Sequence, residues 1–535
     1  MINYGLFNNG SDHSFNVFNA ISRCKEMGED GIVFDRGEYH FYPDMASEDV
    51  MCVSNHDIYG FRRIAFSISD MNDFFIDGGG STFVFHGDII PLYINNSTNI
   101  TVKNVSIDYA ECGILDLTVT EVNDGCFDVT IGDGGVCSVK DGVLTIYGGC
   151  SESVCLHTLI IRSDGDSSLY SSDTDEEFMI ENGVKNESLR VEEIGNGRLR
   201  FSGSRLSVRP GMHLLAKGGE RLLCNIVSNK SSDIVLENIT MHSSYAMGVL
   251  AQMCRNITID KMNVKARGGN LFSLAADATH FVNCTGLVKV TNSSFSDQMD
   301  DALNIHGIFT KITDRTDEYI VVRYMHESAK GIGIYNIGDK ISVVNPRSLV
   351  GNQHYTVKNV EVVNLEYTKL YFDEPTDDIA IGDLVENITN NCDLIFENNR
   401  VFNNRARGLL IGTKGRVDIR NNYFRSSGTA ILFESDGEYW YESGGTNDVH
   451  ICGNIFEGCC FGPAHWGGHV IETVPRSESV DGMYYHKFIC VTDNDFIANA
   501  APILFADNVE HLVFKNNRSD SKNENVVGRC GKIDM

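Results

Sequence analysis

The stretch DQMDDALNIHG, residues 297–307, sets two carboxylates side by side, Asp300 and Asp301, ahead of an alternating apolar run. A third, Asp277, stands in the preceding stretch LFSLAADATHF. Clustered carboxylates raise one another's pKa, so one can stay protonated near neutral pH while its neighbour is ionised. That division of labour suits glycosidic bond hydrolysis, in which one carboxylic acid protonates the leaving oxygen and another carboxylate activates water or attacks the sugar. An arbitrary Asp-Asp dipeptide is more often a turn or a calcium pair; the NIHG that follows and Asp277 before it favour catalysis here.

Bringing residue 277 to residues 300 and 301 requires an architecture, and an internal repeat supplies one. Ten short segments share a pattern: FFIDG (74–78), ITVKN (100–104), IVLEN (234–238), ITIDK (257–261), VKVTN (288–292), LIFEN (394–398), VDIRN (417–421), VHICG (449–453), ICVTD (489–493) and LVFKN (512–516). The positions two and four residues before each terminal Gly, Asn, Lys or Asp are apolar. Alternation of this kind is a strand with one buried face, and the residue that follows tolerates the left-handed backbone of a sharp corner. Three residues past the corner a second apolar column appears, including Ile107, Met241, Val264, Phe295, Val401, Phe424, Phe456 and Phe496. The pattern predicts an all-β, right-handed parallel β-helix whose rungs stack about 4.8 Å apart. A sandwich or propeller would need antiparallel hairpins and would not hold one register over ten copies.

Residues 14–27, SFNVFNAISRCKEM, carry apolar positions at helical spacing after the N-cap candidates Ser11 and Asp12, and predict a short helix capping the open end. Two gaps in the register, 104 to 238 and 292 to 398, hold alternating runs separated by turn residues and predict two small inserted antiparallel β-barrels. The expected division is 1–112, the cap and first rungs; 113–220, the first barrel; 221–308, rungs with the aspartates; 309–390, the second barrel; and 391–535, the last rungs. Sugar binding, pocket shaping and a homodimer contact are all open roles for the inserts.

The register also nominates neighbours for the carboxylates. Asp301 and Arg407 each lie nine residues past an anchor, and the same offset from Lys261 is Asn270, so the expected polar column is Asn270, Asp301 and Arg407, with Asp300 beside it and Asp277 on a neighbouring wall. Both members of the Asp pair can face one site only if the chain bends between them. Asn304 and His306 follow on the same strand, where a His is as often a packed residue as a ligand; Arg405 and Arg407 are equally sugar ligands or ion-pair partners. Glu434 stands where other rungs have an apolar residue, so it needs a partner, and Trp440 in the same loop can stack on a pyranose ring. Trp466 fits loop packing better.

Composition narrows the function classes. The formal net charge of −29, from 44 basic and 73 acidic residues, disfavours nucleic acid and anionic membrane partners. Sixteen cysteines without paired C-x-x-C spacing read as buried thiols rather than a disulfide framework or a zinc site. No metal or other cofactor is expected. The opening residues MINYGLFNNGSDHSF carry neither a basic leader nor an apolar core, which places the chain as given in the cytoplasm, or outside it or in the periplasm if a leader was trimmed.

The opening SDHSFNVFNAISRCKEMGEDGIVFDRGEYHF is similar to the pectin-lyase-like β-helix superfamily, and AADATHF with DQMDDALNIHG resembles glycoside hydrolase family 110, the α-1,3-galactosidases. The resemblance implies Asp277, Asp300 and Asp301 as the catalytic set. It further implies removal of terminal α-1,3-linked galactose with inversion, from blood-group-B-type or linear α-galactosyl glycans, with Asp300 as acid and Asp277 with Asp301 activating water. Inversion asks for about 6.5–9.5 Å between acid and base, which Asp277 is the member freest to supply. Two other readings stand beside this one: a polygalacturonase-like hydrolase, though its GHG and RIK motifs are replaced by NIHG and VDIRN, and a non-catalytic carbohydrate-binding β-helix.

Overall fold

The computed structural model describes residues 10–535 except 57–59, 112, 133–134, 147–153, 160–189, 204–207, 219–220, 222, 269, 377, 463, 476, 479, 481 and 521–524. The chain forms a parallel β-helix in which each apolar column of the sequence becomes a column of hydrogen-bonded neighbours. Ile76 pairs with Val102, and the row continues through Leu236, Ile259, Val290, Phe396, Ile419, Ile451, Val491 and Phe514. The second column climbs in the same way from Ile107 through Met241, Val264, Phe295, Val401, Phe424 and Phe456 to Phe496.

The corners explain the register. Asn104, Asn238, Lys261, Asn292, Asn398, Asn421, Gly453, Asp493 and Asn516 all have φ between +53° and +69°, the left-handed region that Asn and Gly enter at least cost. The first repeat departs from this: Gly79 and Gly80, not Gly78, take the positive φ, and the pairing register slips between Asp77 and Ser81.

One residue beyond the corner, asparagines, buried except for the half-buried Asn517, form a ladder. Asn422, Asn454, Asn494 and Asn517 each accept, through Oδ1, the backbone N–H of the asparagine on the rung before, at 2.8–3.0 Å. The corners at Asn398, Asn421, Gly453 and Asp493 thus each satisfy an amide that the bend removes from the strand ladder. Inside the coil, Phe424, Phe456 and Phe496 stack nearly parallel with centroids 5.1 and 4.8 Å apart.

The capping helix spans Ser14–Met27 and ends on Gly28 at φ 67°. Its N-cap is His13 rather than Ser11 or Asp12; Asp12 Oδ1 accepts from the Ser14 N–H at 2.9 Å instead. Among the described residues no helix is long and apolar enough to cross a membrane. Thirteen described cysteines are free, and six of them are buried.

Between Tyr109 and Ile226 the chain leaves the coil to form a six-stranded antiparallel sheet, with its own core of Leu117, Phe127, Val129, Leu199, Phe201 and Leu214. Much of the first expected barrel, notably 147–153 and 160–189, lies outside the described residues. The second excursion starts differently. Strand Leu303–Arg315 is parallel to Thr279–Val282 and Leu409–Ile411 at its beginning, then antiparallel to Tyr319–Tyr324 and Leu384–Asn387 at its end. One continuous strand therefore belongs to a helix rung and to the inserted module.

The ladder gives a stability test. Asn454→Ala leaves the Asn422 N–H without its acceptor and removes donors to Asn494 and Ile419, so about 2–4 kcal/mol of unfolding free energy should be lost in denaturant titration.

Candidate active site

The rows Thr279–Val282, Leu303–Ile305 and Leu409–Ile411 are in register, and extending that register two residues back aligns Asp277, Asp301 and Arg407. Asp277 lies 16 residues after Lys261, whereas Asp301 and Arg407 lie nine after their anchors, so a seven-residue excess in that rung shifts the column. The expected member Asn270 sits instead in that excess loop, its N–H donating to the Arg267 carbonyl, and does not line the pocket. Asp300 and Asp301 lie between strands Ser294–Ser296 and Leu303–Arg315, past Asp297 at φ 65°. The bend that the paired aspartates require is there, and one oxygen from each of the three aspartates lies within 4.8 Å of the others.

These aspartates line a cavity of about 220 Å³ together with Asn304, Arg407, Glu434 and Trp440. All three carboxylates are buried, at 3%, 6% and 0% exposure for Asp277, Asp300 and Asp301, so each needs a partner. Arg221 donates to Asp300 at 2.9 Å. Arg407 donates to Asp301 Oδ1 through its backbone N–H and its Nε, both at 3.0 Å, and its Nη2 forms an ion pair with Oδ2 at 2.9 Å. Among the described residues no arginine bonds Asp277: one oxygen accepts the Asp301 N–H at 3.1 Å and the other faces His280 Nδ1 at 2.7 Å.

The three aspartates face two guanidiniums, and Arg407 is shared with Glu434, so the cluster carries excess negative charge that favours a protonated carboxyl. Burial, then the Asp300 charge, push the Asp277 carboxyl up to about 7, against the opposing pull of Arg221 and Arg407. Burial also pushes Asp301 up, while its Arg407 clamp pulls the other way.

The other sequence candidates divide into those on the cavity wall and those behind it. Asn304 presents a buried Oδ1 with no hydrogen-bond partner among the described residues, an acceptor available to a sugar hydroxyl. Glu434 finds its partner in Arg407 at 3.9 Å. Trp440 packs against His326 of the second insert at 4.8 Å. Arg405 lies off the cavity: its Nε donates to the Met299 carbonyl and its guanidinium stacks 4.8 Å from the Trp466 ring. His306 also stands behind the wall, 2.9 Å from His280.

Trp466 lines the pocket, with both Arg405 and Arg407 over its ring, so it does more than pack a loop. Asn55, Arg221, His280, Ser435, Asp436 and Glu442 are wall residues not nominated from the sequence. His280 was legible, three residues past Asp277 on the strand that leaves it. Arg221 and Asn55 carry no register, one following the first insert and the other an N-terminal hairpin, and only the charge count of the aspartates asks for a second arginine.

Converging buried carboxylates of unequal proton affinity on a parallel β-helix define a glycoside hydrolase. The model of the GLAA-B beta-barrel domain II matches residues 319–385. An alpha-1,3-galactosidase B of Phocaeicola vulgatus is 30% identical over 96% of this chain and 90% of its own length. An alpha-1,3-galactosidase A of Shewanella woodyi is 29% identical over 96% of this chain and 84% of its own. Among solved structures, the chain is similar to the A-module of a mannuronan C-5 epimerase of Azotobacter vinelandii, at 10% identity and a TM-score of 0.42 over 100% of this chain and 96% of that one. The chain belongs to the alpha-1,3-galactosidase family.

The raised Asp277 carboxyl has a consequence for stability. Its folded value of about 7 lies above the ordinary 3.8, so its contribution is full below about pH 4 and is lost as pH rises through 7. Asp277→Asn mimics the protonated form; thermal melts at pH 8 should show a higher Tm than the wild type, with the difference vanishing toward pH 4.

Proposed function

We propose that this protein removes terminal α-1,3-linked galactose from oligosaccharides by hydrolysis with inversion, Asp300 acting as general acid and Asp277 with Asp301 as the pair that activates water. The observation that carries the reading is the meeting of these three carboxylates on one wall of a small cavity. A cavity of about 220 Å³ takes a single sugar ring rather than a chain passing through, which fits action at a glycan terminus.

The short spacing corrects one expectation. Asp277 does not supply a separation of about 6.5–9.5 Å at its nearest oxygen. It fits a different use. Two oxygens that both accept from one water at about 2.8 Å, at a tetrahedral angle, lie about 4.6 Å apart, and oxygens of Asp277 and Asp301 lying within 4.8 Å of one another are compatible with a water held jointly by the pair. Proton transfer then runs from water to this pair as Asp300 protonates the leaving oxygen.

A neutral sugar suits the pocket better than a uronate. Both arginines on the wall are engaged by aspartates, Arg221 by Asp300 and Arg407 by Asp301, which leaves acidic groups Glu434, Asp436 and Glu442 to repel a substrate carboxylate. Hydroxyls, by contrast, find acceptors in Asn304 and these carboxylates, and the Trp440 ring offers a stacking face.

An α-1,3-galactobioside is the direct test. Galactose should be released, appearing first as the β-anomer by proton NMR, and Asp300→Asn should lower kcat by about 10²–10⁴-fold. Absence of galactose release by the wild type rejects the reading; initial appearance of the α-anomer rejects inversion. Trp440→Ala should raise KM with less effect on kcat if its ring serves binding alone.

A further inference from the structure

Behind the aspartates runs a line of hydrogen-bonding groups that the hydrolytic scheme above does not use. Asp277 Oδ2 meets His280 Nδ1 at 2.7 Å, His280 Nε2 meets His306 Nε2 at 2.9 Å, and His306 Nε2 lies 3.5 Å from Glu442 Oε1. Both rings are buried, and Glu442 returns to the wall of the same cavity that holds Asp300. The line is built by backbone pairing: His280 pairs with Asn304 and Val282 with His306 between adjacent rungs, while Gly307 and Ile308 pair antiparallel with Ser443 and Glu442.

The far end fixes the proton arrangement. His306 Nδ1 lies 2.7 Å from the Gly307 carbonyl, which can only accept, so Nδ1 carries a hydrogen. With His306 neutral, its Nε2 is an acceptor; His280 must then donate from Nε2 and accept at Nδ1, and Asp277 must hold the proton. Moving that proton from Asp277 to His280 Nδ1, as the Nε2 hydrogen of His280 passes to His306, gives the other state. Asp277 is then ionised, His280 is neutral, and His306 is an imidazolium beside the Glu442 carboxylate. One proton has left Asp277 and one positive charge has arrived at His306.

We propose that His280, His306 and Glu442 form a relay that draws the proton off Asp277, leaving it ionised for water activation while Asp300 keeps the proton destined for the leaving oxygen. The inference rests on the acid–base roles given under the proposed function. It answers a demand of any such pair, that acid and base be in opposite protonation states at one pH. Glu442 is suited to the distal role: burial raises its carboxyl, yet the facing imidazoles, Arg407 and an Asn55 hydrogen bond at 3.2 Å together hold it below the usual range. His280 is suited to passing the proton on, because burial and the His306 charge keep it well below the usual imidazole range. Other charged or titratable groups facing the relay are Asp300, Asp301, Arg221, Arg407 and Cys224 at Asp277, and Asp300, Arg221 and His56 at His280. His280, His306 and Glu442 are thus positioning residues acting through Asp277.

The pH dependence of kcat/KM on the galactobioside, in the wild type and in Glu442→Gln and His306→Gln, tests this. Each variant should shift the acidic limb upward by about one pH unit, losing about tenfold near pH 6 and recovering most of it toward pH 8. A uniform loss at all pH values means a merely structural role and overturns the relay. Nitrogen-15 NMR of the imidazoles at pH 7 gives a readout independent of turnover. The His306 Nε2 signal should lie toward the imidazolium position in the wild type and toward the neutral one in Glu442→Gln; a neutral His306 in both overturns the relay. If the wild type releases no galactose, the reading of function falls, and the NMR result alone decides whether the relay exists.

Discussion

Three buried carboxylates cannot share a cavity of this size unless the protein returns charge to them, and the arrangement of everything around the pocket follows from that electrostatic demand. Arg407 answers it from the next rung and Arg221 from the segment that re-enters the coil after the first insert, while Asp277 has the Asp301 N–H and the neutral His280 ring as hydrogen-bond partners. Side chains alone leave the cluster with an excess of negative charge. An active site of this kind needs that excess, because a fully compensated cluster would hold all three groups ionised and have no acid to offer.

The β-helix is what makes such a balance buildable. Residues 277, 301 and 407 are far apart in the chain but adjacent in space, since left-handed corners and their asparagine ladder hold the rungs in step. Precision at the pocket is therefore inherited from a repeat whose conserved geometry lies on another face of the coil. The inserts are accommodated between rungs without disturbing this step, because each leaves and rejoins a row whose hydrogen bonds are already paired above and below.

Much of this was legible in the residues themselves. Period-two alternation followed by Asn or Gly fixes both strand and corner, and every apolar column read from the sequence between residues 76 and 516 is a column of paired residues. The aspartates were legible because acidic residues in apolar stretches need an explanation. What the sequence hid was anything depending on loop length. Counting from corners put Asn270 in the column, because the surplus residues between Lys261 and Asp277 do not announce where they bulge. Arg221 and Asn55 reach the pocket from segments with no period at all. His306 was visible as a residue, but its place behind the wall depends on a pairing with the 442–443 strand that no spacing encodes.

The strand Leu303–Arg315 passes from the pocket floor, at Asn304, into the second inserted module without a break, and that module also supports Trp440 through His326. The floor of the cavity and part of its rim are in this way anchored to one appended body. An engineer who grafted, trimmed or exchanged that module to alter which glycans are admitted would not be editing a detachable accessory. The swap would travel along a shared backbone to Asn304 on the cavity wall, so selectivity and turnover would have to be retuned together.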